Sequence, residues 1–310
     1  MLEAQIIVGD AAKSLAKLEA GSVRTCVTSP PYWGLRDYGD AGQLGQEATP
    51  QKFVENLCLV FDEVRRVLAD DGTVWVNLGD SYNGAAPNRS GANGFNDGRT
   101  NRDKRFSVGG VQGLKPKDLV GIPWRFAFAM QDRGWYLRQD IIWAKPNPMP
   151  ESVTDRCTKS HEYIFLFSKQ AKYFFDNQAI KEKSITTDGK GGLNNKSKSK
   201  RLGTGLESDK DYFNLDGMRS KRSVWAVSTQ PYSGAHFAVY PPKLILPCVL
   251  AGSAIGDTVL DPFSGSGTTG EVALKLGRNY VGCELNPDYA KLSKKRISDA
   301  IGMFGEVVVC

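Results

Sequence analysis

Hydrophobic and polar positions alternate along the chain with two different periods, and together they predict an α/β fold. Short apolar runs that end at Gly, Asp or Pro predict strands, whereas apolar residues spaced three or four apart predict helices. We predict strands at residues 5–8, 23–27, 73–78, 136–144, 163–168, 258–261 and 280–285, and helices at residues 11–18, 51–68, 117–132, 242–250 and 269–276. This alternation is typical of a largely parallel sheet with helices on its faces.

Two polar stretches interrupt the alternation and carry most of the excess positive charge. Residues 84–105 hold five Lys or Arg against two acids, and residues 181–222 hold eleven against six. The whole chain has 310 residues and a formal net charge of +6. Each stretch fits a solvated loop and fits equally a loop that orders on nucleic acid, since long structureless loops in a compact domain commonly bind a partner.

The remaining composition disfavours several classes of protein. The six cysteines are scattered, and no two of them form a C-x-x-C pair. A structural zinc site or a disulfide framework therefore has little support, and we expect no metal. The N-terminus lacks a signal-peptide pattern, and no apolar run is long enough to span a bilayer. We expect a soluble cytoplasmic protein with buried free thiols.

A glycine-rich turn follows the predicted strand 258–261 and leads into a helix. Its glycines, Gly265, Gly267 and Gly270, let the backbone turn sharply and approach a ligand. Glu284 ends the next predicted strand, 19 residues after Gly265, where a carboxylate can bind two ribose hydroxyls. The combination predicts a nucleoside-type cofactor. It also satisfies the dinucleotide fingerprint, so a nicotinamide-dependent dehydrogenase is an alternative.

Two features favour S-adenosylmethionine as the cofactor. Asp261-Pro262-Phe263 places a carboxylate and an aromatic ring before the glycines, suited to a positively charged amino-acid end and an adenine. Only 26 residues follow Glu284, too few for the remaining strands of a doubly wound sheet. Those strands must come from the N-terminal part of the chain, which would put residues 5–10 beside residues 280–285. Asp10 would then lie at the carboxyl edge of the sheet, where ligands of open α/β sheets bind.

The turn Ser29-Pro30-Pro31-Tyr32 ends the predicted strand 23–27. An exocyclic amino nitrogen of cytosine or adenine is a poor nucleophile, because its lone pair is delocalised into the ring. The carbonyl between the two prolines and the oxygen of Ser29 can accept its hydrogens, while Tyr32 offers a flat face for an extruded base. The turn therefore predicts methyl transfer through positioning and directed hydrogen bonds. A purely structural Pro-Pro turn is the alternative.

Taken together, these motifs resemble the amino-methylating DNA methyltransferases of the beta arrangement, in which the catalytic motif and the target-recognition region precede the cofactor loop. The likeness covers nearly the whole chain outside the two basic stretches, with further matches at residues 61–68, 74–80, 143–148, 161–164 and 236–241. It implies a Rossmann-like S-adenosylmethionine methyltransferase fold. That fold has a mostly parallel seven-stranded sheet in circularly permuted order and an inserted target-recognition region.

The resemblance also implies roles for single residues. The catalytic residues would be Ser29, Pro30, Pro31 and Tyr32. Those at the cofactor would be Asp10, Phe237, Asp261, Pro262, Phe263, Gly265, Ser266, Gly267, Thr268, Thr269 and Glu284. The basic stretches add candidate DNA contacts at Arg89, Arg99, Arg102, Lys196, Lys198, Lys200 and Arg201. His161 and Glu162 would stand near the base pocket, where a structural role for His161 is favoured.

We divide the chain into a catalytic part at residues 1–170 with the basic loop 84–105, a target-recognition insertion at 171–225, and a cofactor-binding part of the same domain at 226–310. Ser29 stands where adenine-N6 members commonly have Asp or Asn, so cytosine N4 is favoured over adenine N6. The expected partners are DNA and a restriction endonuclease that acts separately, and the chain itself would be a monomer or homodimer. RNA or protein methylation and a DNA-binding protein without catalysis are further alternatives.

Overall fold

A computed structural model describes residues 2–34, 42–83, 113–184, 217–230, 240–302 and 305–310. The strands in these ranges are β1 (Leu2–Val8), β2 (Val23–Thr28), β3 (Leu68–Leu78), β4 (Tyr136–Ala144), β5 (His161–Ser168), β6 (Glu182–Lys183), β7 (Met218–Arg219), β8 (Val224–Ala226), β9 (Thr258–Asp261), β10 (Asn279–Glu284) and β11 (Gly305–Val309). The helices there are α1 (Ala11–Leu15), α2 (Pro50–Val67), α3 (Ile122–Asp132), α4 (Pro242–Gly252), α5 (Thr268–Lys275) and α6 (Pro287–Ile301).

Nine of these strands form one sheet, in the order β11-β1-β10-β9-β2-β3-β5-β4-β8. All neighbouring pairs are parallel except β3 with β5 and β5 with β4. The predicted α/β fold with a mostly parallel sheet in permuted order is therefore confirmed. The sheet is two strands wider than predicted, because β11 and β8 extend the two edges of the seven predicted strands.

The permutation is visible where the N-terminal strand meets the C-terminal part of the chain. β1 lies parallel to β10, with Val8 opposite Glu284. Beyond this pair the amide of Gly9 donates to the carbonyl of Glu284 over 2.9 Å. The expectation that residues 5–10 lie beside residues 280–285 is confirmed, and it places Asp10 at the carboxyl edge of the sheet.

Helices cover both faces of the sheet and create two apolar cores. On one face α1, α2 and α3 bury side chains against the strands, and the rings of Phe61 and Phe126 lie with centroids 5.1 Å apart. On the other face α4, α5 and α6 do the same through residues such as Leu244 and Ile297. Because both faces are covered, the central strands are mostly apolar, and their buried polar side chains, such as those of Thr25 and Thr73, are hydrogen-bonded.

Two predicted helices have different limits in the structure. The helix predicted from Lys117 begins only at Ile122, because Lys117 has a left-handed φ of 73° and the carboxylate of Asp80 accepts from the amides of Gly121 and Ile122. That carboxylate satisfies donors that the first helical turn leaves free. The predicted helix 11–18 ends at Leu15. Strands β8 and β11 and the whole of α6 were not predicted from the sequence.

The cysteines are only partly as expected. Four are buried and two are exposed: Cys26, Cys58, Cys248 and Cys283, against Cys157 and Cys310. The expectation of buried thiols is therefore wrong for the last two, which lie on a connecting loop and at the end of the edge strand β11. Among the described residues, no helix has both the length and the apolar character needed to cross a lipid bilayer.

Candidate functional site

The carboxyl ends of the parallel strands meet at one edge of the sheet and bring the predicted motifs together. β9 and β10 end there at Asp261 and Glu284. β1 ends two residues before Asp10, and β2 ends directly before the turn at residues 29–32. Residues from distant parts of the sequence therefore border one site, at the position where open α/β sheets bind their ligands.

The glycine-rich turn after β9 depends on the absence of side chains. Gly265 and Gly267 have left-handed φ angles of 51° and 79°. A Cβ atom on Gly267 would lie 2.4 Å from Oγ of Ser293 and 3.0 Å from its Cα, so no other residue fits there without a shift of α6. The turn packs against α6 on one side, and its backbone leads directly into the N-terminus of α5, where amides favour a polar or anionic ligand group.

Glu284 holds its carboxylate at the mouth of this turn. Oε2 accepts from the amide of Gly265 over 2.8 Å, and Oε1 accepts from the amide of Asn286 over 2.9 Å. Burial raises the pKa of the carboxyl above its usual value, although the two amides act in the opposite direction. A carboxylate fixed in this way retains lone pairs for hydroxyl donors of a ligand.

Asp261 lies inside the protein, with 2% of its surface exposed. Oδ1 accepts from the Thr28 hydroxyl over 2.6 Å and from the Phe263 amide over 3.0 Å. Oδ2 accepts from the hydroxyls of Thr269, over 2.6 Å, and Tyr240, over 3.2 Å. Burial raises the pKa of Asp261, and these four donors lower it. The carboxylate thus ties β9 to β2 and α5. Its contact with the charged end of a cofactor stays a prediction.

Two further hydroxyls of the turn are bonded within the protein. Arg296 of α6 donates through one guanidinium nitrogen to Ser266 Oγ over 3.1 Å and to Thr268 Oγ1 over 2.8 Å. Its other side pairs with Glu271, and the side chains of that pair are only 16% and 15% exposed. Ser266, Thr268 and Thr269 therefore stabilise the loop with their side chains and offer a ligand chiefly their backbone.

The other predicted cofactor residues border the same space in different ways. Pro262 is buried, whereas Phe263 is only partly buried and packs against the core under α1 to α3. Asp10 caps α1, because its Oδ1 accepts from the amide of Lys13 over 3.0 Å. Phe237 lies outside the described residues. Phe263, Asp10 and Glu284 remain as side chains that can meet a nucleoside.

The predicted catalytic turn follows β2 directly. Pro30 is buried, and Ser29, Pro31 and Tyr32 are half-buried. The bond from Thr28 to Asp261 joins the start of this turn to the start of the glycine-rich turn. The two motifs are therefore held side by side by a buried hydrogen bond, although 233 residues separate its partners.

Tyr32 is anchored through its hydroxyl, a contact that was not predicted from the sequence. The hydroxyl donates to Oε2 of Glu162 over 2.7 Å and lies 3.2 Å from Oδ1 of Asn77. Oε1 of Glu162 forms an ion pair with Lys145. The only signal for these partners in the sequence is their place in the matched stretches 74–80, 143–148 and 161–164. His161 contacts the ring of Tyr163 edge-on, at 5.4 Å between centroids, which fits the structural role favoured for it.

The predicted DNA contacts all lie outside the described residues: Arg89, Arg99, Arg102, Lys196, Lys198, Lys200 and Arg201. The structure does describe the base of the larger basic stretch. β6 pairs with β7, and Glu182 accepts from Arg219 over 3.0 Å and from Arg222 over 2.7 Å. Soon after this base, β8 joins the edge of the main sheet beside β4. Both ends of the basic stretch are therefore tied together next to the sheet.

Comparison with known proteins identifies the family. A family model described as DNA methylase, N6_N4_Mtase, matches residues 23–295. The Type II methyltransferase M.XycI of Xanthomonas campestris pv. cyanopsidis is 49% identical over 289 residues, 93% of this chain and 86% of that protein. M.Cfr9I of Citrobacter freundii is 46% identical over 297 residues, 95% of this chain and 87% of that protein.

A solved structure shows the same architecture. The crystal structure of TTHA0409, a DNA modification methylase homologue from Thermus thermophilus in complex with S-adenosyl-L-methionine, superposes with a TM-score of 0.60. It is 25% identical and covers 98% of this chain and 99% of that one. The similarity thus spans the sheet, both helical layers and the edge that carries the two turns.

The bond between Thr28 and Asp261 makes a prediction about stability. Thr28→Val removes a donor from a buried carboxylate, so we expect the free energy of unfolding to fall by about 1.5–3 kcal/mol where Asp261 is ionised. The bond stabilises the ionised form, so the loss should be largest above the pKa of Asp261 and shrink as the pH falls through it. Urea denaturation across that range measures both effects.

Thr25→Val is the matched control. Thr25 is also buried on β2, but its hydroxyl donates to the carbonyl of Thr73 over 3.1 Å and touches no carboxylate. Thr25→Val should lower the free energy of unfolding by about 1 kcal/mol, independently of pH. Equal losses and equal pH profiles for the two variants would contradict the role given to Asp261.

Proposed function

The chain belongs to the N6_N4_Mtase family of DNA methylases, and on that premise we propose that it transfers a methyl group from S-adenosylmethionine to the exocyclic N4 of cytosine in DNA. One observation carries the proposal. The Ser29–Tyr32 turn and the glycine-rich turn lie at adjacent strand ends, joined by the 2.6 Å bond from Thr28 to Asp261. A base amino group held by the first turn would face a methyl donor held by the second.

The residues at the ends of β9, β10 and β1 fit S-adenosylmethionine. The carboxylate of Glu284 has free lone pairs for two ribose hydroxyls. The backbone amides of Ser266 and Thr268, where the turn enters α5, would donate to a carboxylate group. Phe263 and Asp10 would bind the rest of the nucleoside and the methionine part. When bound, S-adenosylmethionine supplies an electrophilic methyl group on a sulfonium centre.

The catalytic turn would raise the nucleophilicity of the amino group by position alone. The carbonyl of Pro30 lies beyond the end of β2 at Thr28, outside the hydrogen-bond ladder of the sheet, so it would be available to accept a hydrogen from the base. The oxygen of Ser29 provides a second acceptor. Together they would direct the nitrogen lone pair, while Tyr32 stacks on the extruded base. The increase in the rate of methyl transfer would come from orientation and preorganised dipoles, with no covalent intermediate on the protein.

Ser29 supports cytosine over adenine as the target base. A serine hydroxyl stands where the adenine-N6 members commonly place Asp or Asn, and the resemblance noted above links this serine to cytosine-N4 members. Adenine N6 is the alternative within the same mechanism. A dehydrogenase gives no reason for the Ser29–Tyr32 turn and does not belong to this family.

Further partners follow from the same assignment. We propose DNA as the macromolecular substrate, bound in part by the basic stretches, since nucleic-acid affinity comes mainly from cations facing phosphates. The similar proteins are named Type II methyltransferases, so a restriction endonuclease that acts as a separate protein is the expected counterpart. A monomer or homodimer and the three-part division of the chain remain predictions.

Nucleoside analysis tests the reaction and the base together. The purified protein is incubated with methyl-labelled S-adenosylmethionine and mixed-sequence duplex DNA, and the DNA is digested for mass spectrometry. We expect N4-methylcytosine. Detection of N6-methyladenine would support the same mechanism but contradict the interpretation of Ser29. Cofactor binding without any methylated nucleoside would redirect the search to RNA or protein.

The environment of Glu284 predicts how cofactor affinity depends on pH. Ribose hydroxyls donate to the ionised carboxylate, so affinity should be constant above the pKa of Glu284 and fall by about tenfold per pH unit below it. Because burial raises this pKa, the fall should begin at a higher pH than for an ordinary glutamate. Titration calorimetry with S-adenosylmethionine measures it.

Glu284→Gln tests the same carboxylate directly. The variant should bind S-adenosylmethionine about 10- to 100-fold more weakly at neutral pH and lose the acid dependence. Glu63→Gln, which removes a carboxylate paired with Arg66 on α2, should keep the original profile. An affinity of Glu284→Gln equal to that of the unmodified protein would remove Glu284 from the cofactor site.

The charge of the larger basic stretch predicts how DNA affinity depends on salt concentration. Replacing Lys196, Lys198, Lys200 and Arg201 by Gln should weaken DNA binding and reduce the slope of log Kd against log salt by about 0.9 for each phosphate that is no longer neutralised. The control makes the same change of charge on α5 and α6, at Lys275, Lys291, Lys294 and Lys295. If the salt slope of the first variant is unchanged, the larger basic stretch is a solvated loop that does not contact DNA phosphates.

A further inference from the structure

The ring of Tyr32 is enclosed on one side by the backbone of Gly79, the residue directly after β3. A Cβ atom on Gly79 would lie 2.6 Å from Cε2 of Tyr32, 3.2 Å from Cδ2 and 3.3 Å from Cζ. No real Cβ packs at 2.6 Å from a carbon, so any other residue at this position would push the ring away. Gly79 does not have a left-handed φ, so its backbone conformation does not itself require glycine.

The far end of the ring is held by the carboxylate of Glu162. Oε2 accepts from the Tyr32 hydroxyl over 2.7 Å and from Nδ2 of Asn77 over 3.2 Å. Asn77 also donates to the carbonyl of Tyr163 over 3.1 Å, which fixes it between β3 and β5. The hydroxyl therefore meets an acceptor whose position is set by two strands of the sheet.

The charge of Glu162 is balanced by a cation that is itself held in place. Lys145 pairs with Oε1, and the two side chains are only 18% and 15% exposed. The ammonium group also lies 4.2 Å from the ring centroid of Trp143, whose indole N–H donates to the carbonyl of Val227 over 2.7 Å. A partly buried ion pair with these extra contacts is oriented more firmly than a surface pair.

From these contacts we propose that Gly79 and Glu162 are positioning residues that set the orientation of the Tyr32 ring. The proposal rests on the proposed function, in which this ring stacks on the target base. A stacking partner needs only a flat face, which phenylalanine would also offer. The bond of the hydroxyl to Glu162 and the contact with Gly79 define the tilt of that face. The tilt determines where the amino group of a stacked base lies relative to Ser29 and Pro30.

Three single variants test the proposal in single-turnover methylation of duplex DNA. Tyr32→Phe keeps the ring and removes the hydroxyl, Glu162→Gln removes the charge from its acceptor, and Gly79→Ala adds the Cβ. We expect each to slow methyl transfer by about 10- to 100-fold, since small misplacements of reacting groups have effects of this size. The Kd for S-adenosylmethionine should stay within about twofold, because no cofactor contact changes.

Double variants separate positioning from general damage. If Glu162 acts through the hydroxyl, Tyr32→Phe with Glu162→Gln should be no slower than the slower single variant. If Gly79 acts through the ring, Gly79→Ala should cause no further loss in a Tyr32→Ala background. Glu63→Gln on α2 is the control and should methylate at the original rate. If Gly79→Ala fails to fold, the comparison of Tyr32→Phe, Glu162→Gln and their double variant still tests the role of Glu162.

Each outcome has a distinct meaning. A full rate for Tyr32→Phe, or multiplied losses in the Tyr32 and Glu162 double variant, would overturn the positioning role of Glu162. If Gly79→Ala slows methylation further in the Tyr32→Ala background, the positioning role of Gly79 would be overturned. If the unmodified protein methylates no DNA at all, the proposed function itself fails, and this is known before any variant is compared.

Discussion

The carboxylate of Asp261 is buried among four hydrogen-bond donors, and the geometry of the site depends on it. Removing a charge from water is costly unless hydrogen bonds replace the lost hydration. Thr28 of β2, Thr269 of α5, the Phe263 amide and Tyr240 supply those bonds. Because Thr28 belongs to β2 and Thr269 to α5, satisfying one carboxylate at the end of β9 fixes the relative positions of these three elements. The two motifs of the site start from these elements.

The order of elements along the chain matters less than the edge they share. β1 is the first strand of the sequence, yet it lies beside β10 near the end. A parallel sheet places the carboxyl ends of its strands on one side whichever strand comes first. Asp10, Glu284 and the two turns therefore meet in the permuted chain as they would in an unpermuted one. Since β4 also runs parallel to these strands through the antiparallel β5, its end brings Lys145 to the same edge.

Local patterns predicted the seven main strands, the side of the sheet that carries the site, and the residues Gly265 and Glu284, because a glycine-rich turn and a following acid depend only on sequence spacing. Long-range contacts could not be predicted in the same way. The side chains of Ser266 and Thr268 are bonded to Arg296 on α6, a helix that no recognised motif covers. Asp261 turns inward because its donors include Thr28, 233 residues away. Spacing alone does not distinguish such a carboxylate from one that faces a ligand.

The base side of the site has its own polar anchor, and the two anchors differ in a way that matches their tasks. Asp261 is buried, and its donors are uncharged, so it holds the junction of β2 and β9. Glu162 is partly exposed and paired with a cation, so it can hold the Tyr32 hydroxyl at the surface where a base would enter. A rigid junction beneath the turn and an oriented ring above it leave the carbonyl of Pro30 and the oxygen of Ser29 little freedom relative to a stacked base. Preorganisation of this kind would suit the proposed methyl transfer, which forms no covalent intermediate on the protein.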